Sequence, residues 1–207
     1  SPSNGGLNSI NRYNATTNAY ISTALITYGN CSSSNVAYLV DMTSDGDGTV
    51  WMASFGTSSG SSNYGLSKWS VSSTTYTCDQ FWMMAEVGGI SFDPNTDEMY
   101  LAKRSRPSST YAVSLERVSR SQPQIALETW SLGTISPSGS QTNPSSYAKP
   151  VGLDVQMPRV TLNVYCYYYL YTHSYCDEDR LSWMNVYHID TNSALNLAQF
   201  QGEISNA

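Results

Sequence analysis

Residues Val40-Asp-Met-Thr-Ser-Asp-Gly-Asp-Gly-Thr-Val-Trp-Met-Ala-Ser54 join a short strand pattern to an acidic glycine turn and a second, aromatic-bearing strand. The same order returns in Gly89-Ile-Ser-Phe-Asp-Pro-Asn-Thr-Asp-Glu-Met-Tyr-Leu-Ala102. It returns again in Val151-Gly-Leu-Asp-Val155 followed by Val160-Thr-Leu-Asn-Val-Tyr165. Further alternating stretches follow each unit: Leu66-Ser-Lys-Trp-Ser-Val71, Tyr111-Ala-Val-Ser-Leu-Glu-Arg-Val118 and Leu181-Ser-Trp-Met-Asn-Val-Tyr-His-Ile189. Apolar and polar residues that alternate with period two, bounded by Gly, Asn, Asp and Pro, mark half-buried strands. A unit that recurs at this spacing predicts an array of small antiparallel sheets, with Trp51, Tyr100 and Tyr165 at comparable positions.

Outward from these units, no window carries a helical period. Fuller units are expected over 36–79, 85–130 and 148–200. Residues 7–29, with Leu7–Tyr13 and Ala19–Tyr28 about an Asn-rich turn, read as half a unit, the outer two strands of a sheet. The polar stretches Thr57–Asn63 and Ser136–Ser146 read as surface loops, because strand patterns resume on both sides. Residues 1–207 thus form one all-β domain or a piece of a larger one.

Asp45-Gly-Asp-Gly-Thr-Val-Trp51 and Phe92-Asp-Pro-Asn-Thr-Asp-Glu-Met-Tyr100 resemble the blades of β-propeller proteins of the NHL, gluconolactonase-like and sensor-regulator type. The third unit departs from that pattern, with Gln156-Met-Pro-Arg159 in place of an acidic turn. The resemblance implies antiparallel blade-like sheets in a complete or partial propeller. It also implies two activities: a metal-dependent lactonase, lyase or hydrolase with Glu86 or Asp154 as channel ligands, or a ligand-sensing propeller of a larger receptor. A β-sandwich of Ig-like or jelly-roll type is the alternative architecture, since short strands recur there too.

The net charge of −6 and pI near 4.7 argue against a nucleic-acid surface, which needs clustered Lys and Arg. The nearest cluster, Lys103-Arg-Ser-Arg106, is short and precedes Pro107 in a polar loop. No apolar run is long enough to span a bilayer as a helix, so membrane insertion is not expected. With no initiator Met, the chain is expected to be processed or excised from something longer. Cys31, Cys78, Cys166 and Cys176 allow three disulfide connectivities. A local bridge between Cys166 and Cys176 would leave Cys31 for Cys78; four reduced, buried thiols are the alternative. Disulfides persist in exported proteins. The sequons Asn14-Ala-Thr16 and Asn30-Cys-Ser32 agree, making Asn14 and Asn30 candidate glycosylation sites. The expected location is extracellular or at the cell surface.

Little of the sequence carries catalytic chemistry. The two histidines, His173 and His188, have no nearby set of His, Asp and Glu at metal-ligand spacing. No Gly-x-Ser-x-Gly elbow is present, and the abundant serines select no nucleophile. No catalytic residue is assigned and no cofactor is expected, with one exception. Asp41, Asp45 and Asp47 offer oxygens to calcium, although Asp-Gly turn chemistry accounts for the same residues. The stretch Tyr165-Cys-Tyr-Tyr-Tyr-Leu-Tyr-Thr-His-Ser-Tyr175 is the least ordinary. Its rings at Tyr167, Tyr168, Tyr169, Tyr171 and Tyr175 would stack on sugars or anchor a protein partner. Low charge and a Ser/Thr/Tyr/Asn surface therefore point to a structural or adhesive module that contacts other protein subunits or glycans. Self-assembly into a surface structure or filament would follow from open sheet edges.

Overall fold

The computed structural model describes residues 9–32, 39–54, 65–84, 86–105, 112–133, 148–166, 182–189 and 198–205. The described chain is all-β, with no helix among the described residues. A first hairpin comprises β1 (Ser9–Tyr13) and β2 (Tyr20–Thr27). Four strands follow: β3 (Leu39–Ser44), β4 (Thr49–Ser54), β5 (Gly65–Val71) and β6 (Thr75–Met83). The second group is β7 (Glu86–Asp93), β8 (Glu98–Ser105), β9 (Ala112–Ser119) and β10 (Gln122–Gly133). The third is β11 (Ala148–Gln156), β12 (Arg159–Cys166), β13 (Ser182–Ile189) and β14 (Ala198–Ser205).

Each group of four pairs antiparallel in chain order, giving three blade-like meanders. Their first strands, β3, β7 and β11, converge and pack on one another. A side chain at Gly88 would collide with the Pro150 carbonyl oxygen, so glycine is what lets β7 lie against β11.

Alternation places successive residues of one strand in different cores. On β4, Trp51 and Ala53 face the second sheet and meet Ile90, Met99, Leu101 and Val118. Val50 and Met52 face the opposite way. On β8, Met99 and Leu101 look back toward the first sheet, while Tyr100 and Ala102 look forward to Val160, Leu162 and Val164 of β12. Both faces of β4 and β8 are therefore covered, which is why their sequences read as nearly continuous apolar runs.

Two features depart from the sequence reading. The segment read as half a unit is no separate sheet: β2 pairs with the start of β6 in parallel, Leu25 to Thr75 through Thr27 to Thr77. The reason lies in its inward row. Ile10, Ala24 and Ile26 pack on Val50, Met52, Trp69 and Tyr76, closing the outer face of the first sheet. The Cys31–Cys78 disulfide, with Cα atoms 5.8 Å apart, fixes the hairpin there. Second, counting from the turn places Thr161, not Tyr165, level with Trp51 and Tyr100 in the third unit. The Met157–Pro158 connection is only two residues long, so β12 starts earlier relative to its turn than β4 or β8.

Candidate functional site at the acidic turns

The Asp45–Gly48 turn is built from its own side chains. Gly46 and Gly48 take φ of +83° and +80°, backbone that other residues rarely adopt. Asp45 Oδ1 accepts the Asp47 N–H at 3.0 Å, an Asx turn. Asp45 Oδ2 accepts from Trp51 Nε1 at 3.3 Å and from Arg120 Nη1 at 2.8 Å. Burial alone would raise the Asp45 pKa. The Asp47 N–H, the Arg120 guanidinium and the Trp51 indole together hold it below the ordinary carboxyl value.

Arg120, just after β9, reaches three carboxylates from two sheets. Its contacts are Asp45 at 2.8 Å, Asp47 at 3.4 Å and Asp97, in the β7–β8 turn, at 2.5 Å. The guanidinium lies over the Phe92 ring, 5.5 Å from its centroid. The hydrogen bond to Asp97 raises the Arg120 pKa above its ordinary value; burial opposes that rise and Asp45 adds to it. The Asp45 side chain is only 2% exposed, whereas Asp47 and Asp97 are 75% and 63% exposed. The Asp45 contact therefore carries most of the electrostatic benefit.

Asp41 belongs to a different constellation. Its Oδ2 accepts backbone N–H groups from Ile90 of β7 at 2.9 Å and Leu153 of β11 at 3.1 Å. Its Oδ1 accepts from Met42 N at 2.9 Å. One carboxyl group thereby ties together the first strands of all three sheets. Burial raises the Asp41 pKa, against the lowering effect of these three N–H donors. Of the three aspartates expected to offer oxygens to calcium, Asp41 faces the junction of first strands, while Asp45 and Asp47 share the Arg120 guanidinium. Among the described residues no group of three His, Cys, Asp or Glu side chains is arranged to hold a metal ion.

A cleft of about 460 Å³ opens where the β7–β8 turn meets the β11–β12 turn. Phe92, Val155 and Met157 give it an apolar wall, and Asp93, Asn95, Asp154 and Gln156 give it a polar rim. Asp154, expected as a channel ligand, is exposed in this cleft. Glu86 begins β7, where only the backbone is described.

Both sequon asparagines are exposed. Asn14 Oδ1 accepts from Thr16 N and Thr17 N at 2.9 and 3.0 Å, presenting the β1–β2 turn outward. Asn30 Nδ2 donates to Asp79 O at 3.1 Å, next to the bridged Cys31. The expected Cys166–Cys176 bridge and Tyr167, Tyr168, Tyr169, Tyr171, Tyr175 and His173 lie outside the described residues. His188 is exposed on β13.

The sequence reading missed Arg120 and the outward face of the hairpin. Tyr13, Tyr20, Ile21 and Leu25 are 55–61% exposed there, with Tyr13 and Tyr20 in edge contact at 5.8 Å. The alternation in Tyr20–Thr27 was the available signal: Ile21, Thr23, Leu25 and Thr27 share the face opposite Ala24 and Ile26. No family model and no curated protein matches the chain.

Proposed function

We propose that this protein is an extracellular or cell-surface structural or adhesive module that makes protein–protein or glycan contacts as a subunit of a larger assembly. One observation carries the reading. The outward face of the disulfide-anchored hairpin is uncharged and presents Tyr13, Tyr20, Ile21 and Leu25 among Asn11, Thr23 and Thr27. Large apolar side chains grouped on a surface, with hydroxyl and amide neighbours and no charge, are the composition of a contact site. The Cys31–Cys78 disulfide supports an oxidising compartment, and the exposed sequons at Asn14 and Asn30 support glycosylation there.

Two measurements test the proposal. Intact mass of the secreted protein, before and after deglycosylation, is expected to show glycan on Asn14 or Asn30. Sedimentation of the purified protein is expected to show association that falls when Tyr20 and Leu25 are both changed to Ser. A strictly monomeric protein that binds neither glycans nor a surface protein overturns the reading.

A further inference from the structure

We propose that the free edge of β1 is a pairing site for a second copy of this chain, whose own β1 adds antiparallel to Ser9–Tyr13 with Asn11 facing Asn11 across a two-fold axis. The inference rests on the reading of this protein as a subunit of a larger assembly and names the partner. Unpaired backbone N–H and C=O groups along a sheet edge select one kind of occupant, another extended strand. β1 is such an edge: it ends the six-stranded sheet and, among the described residues, pairs with β2 alone. It also overhangs the rest of that sheet. Leu25 stands level with Thr75, the first residue of β6, so Tyr20–Ala24 and their β1 partners Ile10–Tyr13 run on past the start of that strand.

Other edges carry devices that oppose strand addition. β10 loses register with β9. Past Thr77, where β2 stops, Asn30 covers β6: its backbone N–H donates to the Cys78 carbonyl at 3.0 Å and its Nδ2 to the Asp79 carbonyl at 3.1 Å. β1 has no Pro or Lys, and the bulge of the hairpin falls on β2 at Ile21, leaving β1 regular. Its one charge, Arg12, donates to the Ser73 carbonyl at 3.2 Å. Pairing about Asn11 sets Ser9 against Tyr13 and Ile10 against Arg12 of the second copy, so no like charges meet. Thr23 Oγ1 donates to Asn11 Oδ1 at 2.8 Å, and among the described residues Asn11 Nδ2 meets no acceptor. The facing Asn11 supplies one, and the two amides exchange hydrogen bonds. Directly opposite residues share a face, so the outward rows merge: Leu25, Ser9, then Tyr13 and Tyr20 of the second copy. Ser9 is small enough for the Tyr13 ring to lie across it toward Leu25, which covers side chains that are 57% and 61% exposed in the single chain.

The test is sedimentation of the intact protein carrying Asn11→Lys, of the protein carrying Asn11→Asp, and of an equimolar mixture of the two. In either variant alone the two-fold axis sets like charges about 4.5–5.5 Å apart at Cβ. Each is expected to associate at least about tenfold more weakly than the native protein. The mixture sets Lys against Asp and is expected to recover association, which neither misfolding nor the loss of an unrelated contact would produce. Unchanged association in both single variants, or a mixture no stronger than its components, overturns the proposal. A native protein that stays monomeric while binding a glycan or a surface protein also overturns it, and leaves the contact-module reading standing. A protein that neither self-associates nor binds either partner overturns both.

Discussion

At the scale of single residues, two aspartates that look alike in sequence do opposite work. Asp45 is held ionised by Arg120, so removing the arginine leaves a nearly buried carboxylate without its counter-charge. Arg120→Ala is expected to cost about 1–3 kcal/mol in urea unfolding, below the full value for a buried pair because Arg120 is partly exposed. Charge removal at Asp47, which is 75% exposed, is expected to change stability by less than about 0.5 kcal/mol. Asp41 carries the opposite pH dependence. Its folded pKa is raised above the ordinary 3.8, so between the two values the native state binds more protons than the unfolded chain. Stability contributed there falls as pH rises through that window. Asp45 is lowered, so its contribution is complete above 3.8 and is lost as pH falls through its folded value. Asp41→Asn keeps an acceptor for the Ile90 and Leu153 N–H groups and removes the titration. The variant is expected to gain stability relative to the native protein as pH is raised from about 4 to neutrality. An offset that stays constant across that range would show that Asp41 does not titrate there.

At the scale of elements, strands and their turn-linked partners were legible and their distant partners were not. The repeated Asp-Gly and Asp-Pro-Asn turns specify β3–β4 and β7–β8 through local backbone chemistry, and each connects strands only a few residues apart. The attachment of the first hairpin depends on Leu25 meeting Thr75, a parallel pairing that no turn encodes. Arg120 reaches Asp45 across 75 residues, and Leu153 reaches Asp41 across 112. Local periodicity holds no information about such contacts. The Cys31–Cys78 bridge was legible only as what remained once Cys166 was assigned to Cys176. Its energetic role follows from topology: only three residue pairs join β2 to β6, and the bridge closes a separation of 47 residues. Loop-closure entropy over that length corresponds to about 4 kcal/mol. The double variant Cys31→Ser, Cys78→Ser is expected to lose about that much in urea unfolding. A loss below about 1 kcal/mol would show that the packing of Ile10, Ala24 and Ile26 holds the hairpin unaided. Gly88→Ala tests the junction of first strands, since the added methyl meets the Pro150 backbone rather than a movable side chain. A cost of about 1–3 kcal/mol is expected.

At the scale of the whole molecule, the three-and-a-half units become a stack with a closed end. The first sheet would expose Val50, Met52 and Trp69 if the hairpin did not cover them, so the half unit acts as a cap. The third sheet ends differently. On its forward face Asn163 is exposed and Thr161 stands where Trp51 and Tyr100 bury rings in the two preceding sheets. The third sheet therefore differs from the first two at this level of its forward face. The association proposed above is expected on the outward hairpin face and on the rim, where Met83, Ile125 and Leu127 are more than half exposed. Ile125 and Leu127 lie where β10 loses register with β9, and Gln124 Nε2 reaches the Met83 carbonyl at 3.4 Å. Irregular register blunts an edge against strand pairing while turning side chains outward, so contact there rests on side chains rather than backbone. Ile125→Ser with Leu127→Ser is accordingly expected to leave the urea midpoint nearly unchanged and to reduce association measured by sedimentation. If the same association survives both this variant and the Tyr20/Leu25 variant, neither surface is the interface, and the assembly must form through parts of the chain away from the hairpin and the rim.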